Sequence, residues 1–145
     1  MLSGLWFAGQ KYFGSTLRGD EAEIEDSVII QTKDWLDCYF AGKEPGERPP
    51  LAISGSPMRQ AVMKIMLGIP YGHTMTYGQV AEEAARMLGK ERMSAQAVGG
   101  AVGHNPISIL VPCHRVVGAK GQLTGYAGGL ERKQALLTME GITTR

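Results

Sequence analysis

Thr76-Tyr77-Gly78-Gln79-Val80-Ala81-Glu82-Glu83-Ala84-Ala85-Arg86-Met87-Leu88-Gly89, followed four residues later by Ser94-Ala95-Gln96-Ala97-Val98-Gly99-Gly100-Ala101-Val102, sets the architecture of this 145-residue chain. Thr76 is an N-cap residue, Val80, Ala81, Ala84, Ala85 and Leu88 recur at helical spacing, and Gly89 is a stop signal. Ser94 caps a second short helix. Two short helices joined by a glycine-containing turn outline a helix-turn-helix. The second helix is nearly bare of side chains, and each of its adjacent glycines costs about 1 kcal/mol relative to alanine. Two offsets remain open, tight helix–helix packing or close approach of the helix to a ligand. A reader of base edges would carry long polar side chains, so this helix suits a narrow groove better than sequence readout.

Working outward towards the N-terminus, Ser56-Pro57 supplies an N-cap and an N1 proline. Val62, Ile65, Met66 and Ile69 then form an apolar stripe that Pro70-Tyr71-Gly72 ends. Lys43 to Pro50 holds three prolines and reads as a linker. Ahead of it, Leu2 to Phe7 is expected as a strand, Val28-Ile29-Ile30 as a short strand-like or buried piece, and Asp34 to Phe40 as a short helix with Trp35, Leu36, Tyr39 and Phe40 on its apolar side. The expected class is mixed α/β (α+β), with a small, truncated-looking N-terminal α/β lobe over 1–50. A mainly helical, winged helix-like domain follows over 55–145.

Composition excludes several classes. Apolar residues make up 43% and charged residues 20% of the chain, as in globular proteins rather than disordered ones. No apolar run reaches the ~20 residues of a spanning helix, and no leader-like N-terminus is present, so a non-membrane, cytoplasmic protein is expected. Cys38 and Cys113 are too few for a disulfide framework, and His73, His104 and His114 lack paired ligand spacing, so no metal and no cofactor is expected. The net charge of +1 divides unevenly: residues 1–55 carry five cations and nine anions, and residues 56–145 ten cations and five anions. An excess of cations in the second part hints at a polyanionic partner.

The sharpest local signal is Ile109-Leu110-Val111-Pro112-Cys113-His114-Arg115-Val116-Val117. A β-like apolar run is interrupted by Pro112, which places Cys113 at a strand end or turn. A thiol becomes nucleophilic when a neighbouring imidazole or cation ionises it. His114 can reach it through a bent turn or a bridging water, and Glu140 is the candidate carboxylate to orient the imidazole. The other reading is a buried structural cysteine beside a histidine that satisfies a backbone group. Cys38, beside Tyr39 and Phe40, reads as packing.

Asn105 to Val116 resembles the active-site signature of the O6-alkylguanine-DNA alkyltransferases. Ile69 to Gly78, Ala97 to Ala101, Gly125 to Leu130 and Met139-Glu140-Gly141 follow in that family's order and spacing, so the resemblance spans roughly 55–141. Leu36 to Lys43 resembles the end of the family's N-terminal, ribonuclease H-like domain, whose first strands have no counterpart in this chain. The resemblance implies direct-reversal DNA repair, with one irreversible transfer of an alkyl group from O6-alkylguanine, or O4-alkylthymine, to Cys113. That is the activity of a single-turnover methylated-DNA–protein-cysteine S-methyltransferase.

It further implies that His114 deprotonates the thiol through a water, with Glu140 behind it. Tyr77 donates towards the base and crowds its phosphate, and Asn105 ties the two halves of the site together. The carbonyls of Cys113 and Val116 accept from the exocyclic amine, while Tyr126, Ala127 and Gly128 wall the base pocket. Ala95, Gln96, Ala97, Gly99, Gly100 and Arg115 are the expected DNA contacts, made from the minor groove around a flipped base. The expected partner is double-stranded DNA carrying alkylated guanine or thymine, bound by a monomer with scope for cooperativity along the nucleoid DNA. Two positions depart from the familiar pattern: Gln96 stands where an Arg fills the gap left by the flipped base, and Ala127 where a Ser follows the pocket Tyr. A non-catalytic lesion-recognition protein and a helix-turn-helix regulator with an alkylation-sensing cysteine are the alternatives.

Overall fold

The computed structural model describes residues 1–19 and 21–143. Asp20 and Arg145, both counted in the charge division, lie outside them, as does the last part of the expected 55–145 domain. Among the described residues there are five α-helices and one two-stranded sheet: α1 (Ser27–Phe40), α2 (Pro57–Leu67), β1 (Met75–Thr76), α3 (Tyr77–Met87), α4 (Ala95–Gly103), β2 (Val116–Val117) and α5 (Leu130–Met139). The class is the mixed α/β one expected, and no helix is long and apolar enough to cross a membrane.

Each helix from α1 to α4 starts at a side-chain cap. Asp26, Ser56, Thr76 and Ser94 accept from the backbone N–H three residues on, and Gln79 returns a bond to Thr76 N–H to complete a capping box. α2, α3 and α4 pack against one another, burying Val62, Met63 and Met66, then Val80, Ala81 and Ala84, then Val98, Ala101 and Val102. α3 and α4 are the expected helix-turn-helix. β1 pairs in parallel with β2, Met75 with Val116 and Thr76 with Val117. Beyond β2, a tight turn at Gly118 to Gln122, closed by Gly118 N–H to Gln122 O at 2.7 Å, projects Lys120 into solvent as a short wing.

Three expectations are corrected. Leu2 to Phe7 is not a continuous strand: Leu2 bridges Leu51 and Leu5 bridges Ile107, two partners in different places that cannot share a ladder. Val28 to Ile30 belongs to the first turn of α1, and Ile29 and Ile30 are exposed; the Asp26 cap and the uninterrupted helical run to Phe40 override the β-branched character of the triplet. The Ile109–Val111 run is buried but folds as a turn, because Ile109 takes a φ of +70° and diverts the chain. A left-handed φ on a buried β-branched residue costs on the order of 1–3 kcal/mol and persists only where the surroundings enforce it. Here the enforcing group is Asn105, described below.

Candidate active site

Asn105 follows α4 directly, and its buried side chain closes the turn that carries Cys113. Its Nδ2 donates to Val111 O at 2.9 Å and Ile107 O at 3.3 Å, while Oδ1 accepts from Ile107 N–H at 3.1 Å. Pro112 then ends the turn, and Cys113-His114-Arg115 form a single 3₁₀ turn whose three side chains are all buried. Burial pushes the Cys113 thiol up, opposed by the Asn105 amide and the Lys133 charge.

His114 is fully buried, and its Nε2 lies 2.6 Å from Glu140 Oε2. An ionised carboxylate only accepts, so Nε2 carries the hydrogen. Nδ1 is then a bare lone pair, buried and without a partner among the described residues. Burial also holds the imidazole below its ordinary range, against the pull of Glu140, so it stays neutral and able to take a proton. Burial alone would raise Glu140, but donation from His114 and Arg115 outweighs it and holds the carboxyl at about 2.

Arg115 is a correction. It is expected at the DNA, yet its side chain is buried: Nε donates to Glu140 Oε1 at 2.8 Å and Nη1 to Ile69 O at 2.9 Å. All three side chains of the 3₁₀ turn face inward, and Arg115 has Glu140 as its counter-charge, so it ties the carboxylate to the chain just after α2.

Lys133 of α5 is the other buried cation. Nζ donates to the carbonyls of Val116, Thr124 and Gly125 at 2.6, 2.8 and 3.2 Å, and desolvation lowers it to about 8. The Val116 carbonyl, expected to meet a base, thus already accepts once and keeps its second lone pair. The Cys113 carbonyl accepts from Val116 N–H in the same way.

Tyr77, Tyr126, Ala127, Gly99 and Gly100 line one cavity of about 210 Å³, shared with Lys11, Tyr12 and His104. Tyr77 donates to Thr124 O at 3.3 Å, and burial keeps its phenol protonated. Gly128 lies outside this lining; a Cβ there would come within 2.8 Å of Phe7 and Tyr126, so glycine lets the loop close on the tyrosine ring. Ala95, Gln96 and Gly99 face a broader groove of about 790 Å³ between α4 and the wing, with Lys120 and Thr124 opposite. Ala97 is half-buried beside them. A Cβ placed on Gly99, Gly100 or Gly103 meets nothing within 4 Å, so among the described residues no helix packs on that face.

The sequence profile described as "6-O-methylguanine DNA methyltransferase, DNA binding domain" matches residues 57–142. The chain belongs to the O6-methylguanine-DNA methyltransferase family. A methylated-DNA–protein-cysteine methyltransferase of Mycobacterium tuberculosis is 50% identical over 107 residues, 74% of this chain and 62% of that protein. One from Methanosarcina acetivorans is 46% identical over 139 residues, 92% of this chain and 86% of that protein. The crystal structure of Mycobacterium tuberculosis OGT in complex with DNA superposes with a TM-score of 0.81 at 41% identity, covering 96% of this chain and 80% of that one. The chain thus aligns with slightly less than two thirds of the mycobacterial relative's length.

For a methyltransferase-family site, the residues that sequence reasoning missed come from outside the signature. Tyr39 reads as one apolar position of α1, yet its hydroxyl reaches Glu140. Lys133 looks like a surface cation of an amphipathic helix. Lys11 and Tyr12 sit in the N-terminal segment, where Lys11 N–H donates to Ala127 O at 3.2 Å and Tyr12 stacks on His104 at 4.0 Å. Only Tyr39 carried a usable signal, an aromatic with a hydroxyl on a helix face that is otherwise hydrocarbon. Among the described residues no cluster of three potential metal ligands occurs.

Proposed function

We propose that this protein repairs DNA by direct reversal, accepting the alkyl group of O6-alkylguanine, and of O4-alkylthymine, on Cys113. The observation that carries the reading is the buried Cys113-His114 pair backed by Glu140, with His114 Nε2–H committed to the carboxylate and Nδ1 left bare. In the proposed step the Cys113 sulfur attacks the alkyl carbon in line with the departing O6. The S–C bond forms as the C–O bond breaks, and the electron pair goes to the guanine oxygen. The thiol proton passes to His114 through a water, and the guanine regains one proton, for which Tyr77, a phenol lining the base pocket, is the proposed donor. The S–C bond of the resulting thioether would have to expel a thiolate to break again, so the alkyl group stays and each molecule reacts once.

The reacting carbon is inaccessible inside a duplex, so the base must be turned out, at a cost of a few kcal/mol. We assign its pocket to the cavity lined by Tyr77, Tyr126 and Ala127, and duplex contact to Ala95, Gln96, Ala97, Gly99 and Gly100. A bare helix can sit against a minor groove without reading sequence, which suits repair at any position. Gln96 can hydrogen-bond to the orphaned base without adding charge. Residues 1–50 are proposed as one lobe and 55–145 as the reacting domain, acting in the cytoplasm as a monomer. The test is stoichiometric: titrating the protein against a duplex with one O6-methylguanine should remove one lesion per molecule and then stop. Turnover beyond one equivalent, or tight lesion binding with no loss of the lesion, would refute it.

A further inference from the structure

Resting on the alkyl-transfer reading of Cys113, we propose that Tyr39 is a positioning residue of the reactive site, through which α1 sets the pH at which His114 can take the thiol proton. Glu140 is supplied with four donors. The Tyr39 hydroxyl and His114 Nε2–H both donate to Oε2 at 2.6 Å, and Arg115 Nε and the Gly72 N–H donate to Oε1 at 2.8 and 3.1 Å. An ionised carboxylate offers about four lone-pair positions, so this one is saturated. His114 and Tyr39 therefore share a single oxygen, and the phenol oxygen lies only 3.4 Å from Nε2. Since Nε2 already carries a hydrogen, it offers the phenol no lone pair, and the Tyr39 hydroxyl donates to Oε2 alone.

Packing does not call for that hydroxyl. Tyr39 is fully buried, stacked on Trp35 at 5.6 Å and edge-on to Tyr71 and His114. A phenylalanine ring would make the same contacts. The titratable and charged groups facing the pair are Tyr39 from α1, Tyr71 after α2, Arg115 from the 3₁₀ turn and Lys133 from α5, with Arg48 behind Arg115. Among them Tyr39 alone competes with His114 for the same oxygen. By drawing charge from Oε2 it limits how strongly Glu140 stabilises the imidazolium, and so keeps His114 neutral to lower pH. The N-terminal segment thereby supplies part of the chemistry and not only packing.

The test is Tyr39→Phe in the full chain, read in two ways. Without the competing donor, the exchangeable His114 Nε2–H proton resonance should move further downfield. The acid limb of the pH–rate profile for transfer from an O6-methylguanine duplex should move up by about half a pH unit, an approximately threefold slower rate on that limb. Replacing Tyr39 by 3-fluorotyrosine, a stronger donor of the same shape, should move both readouts the opposite way and serves if the phenylalanine variant does not fold. A resonance that stays in place, or rate profiles that superpose, overturns the proposal. If the parent protein transfers no alkyl group, the functional reading fails, and the resonance still decides the role of Tyr39.

Discussion

Around Glu140 both carboxylate oxygens are filled by donors, whereas along the open side of α4 hardly a side chain exists. The two regions are joined by Asn105, which ends one and closes the turn of the other. One is over-determined: Tyr39, Gly72 and the adjacent His114 and Arg115 come from three places in the chain to fix one carboxylate. The other is kept clear, with Gly99 and Gly100 facing space that none of the described residues fills within 4 Å of an added Cβ. Chemistry at a buried thiol needs fixed protons and charges in a medium where errors are costly. Binding any duplex needs a surface that comes close and asks little of the sequence.

If the two regions are separable, the largest effect is expected at the thiol. Cys113→Ala should abolish alkyl transfer while duplex affinity, followed by fluorescence anisotropy, stays within about threefold, well under the tenfold of 1.4 kcal/mol. Lost binding would break the division of roles. Next is Glu140→Gln, which leaves Arg115 buried without its counter-charge; denaturant unfolding should show a loss of about 3–5 kcal/mol. The same network predicts acid sensitivity. Glu140 is held at about 2 against an ordinary 4.5, so its contribution is complete above pH 4.5 and lost as pH falls towards 2, on the order of 3 kcal/mol. His114, buried neutral, adds to this below its ordinary 6.5. Stability measured against pH should therefore decline from below pH 6.5 and steepen below 4.5.

On α4 the signs should reverse. Gly99→Ala and Gly100→Ala should each stabilise the fold by up to about 1 kcal/mol, while duplex affinity falls. A stability loss would show that the helix is packed after all. The smallest effect is expected from Gln96→Arg, which should tighten duplex binding and, if the new cation meets a phosphate, steepen its salt dependence by about 0.9 per contact.

The helical half was legible because it obeys local rules: Ser56, Thr76 and Ser94 cap where caps are expected, and the apolar stripes fall inward. Of the candidate site, Cys113 and His114 could be read from one segment and Glu140 from the need for a carboxylate, whereas Asn105 came only from the resemblance. Long-range pairings decide the rest. Nothing near Leu2 or Leu5 announces that they bridge Leu51 and Ile107. Arg115 looks like a phosphate ligand until the fold brings Glu140 to it, and Tyr39 lies 101 residues from the carboxylate it serves. The bare helix left two readings open, and open space beyond its glycines removes packing among the described residues as the reason for them.

Whether Cys113 accepts the alkyl group can be read directly by peptide mapping with mass spectrometry after incubation with duplex DNA carrying O6-methylguanine. The peptide containing Cys113 should gain the mass of one CH2, with the Cys38 peptide unchanged. An unmodified Cys113 peptide at saturating lesion DNA, or the added mass on Cys38, would contradict Cys113 as the acceptor.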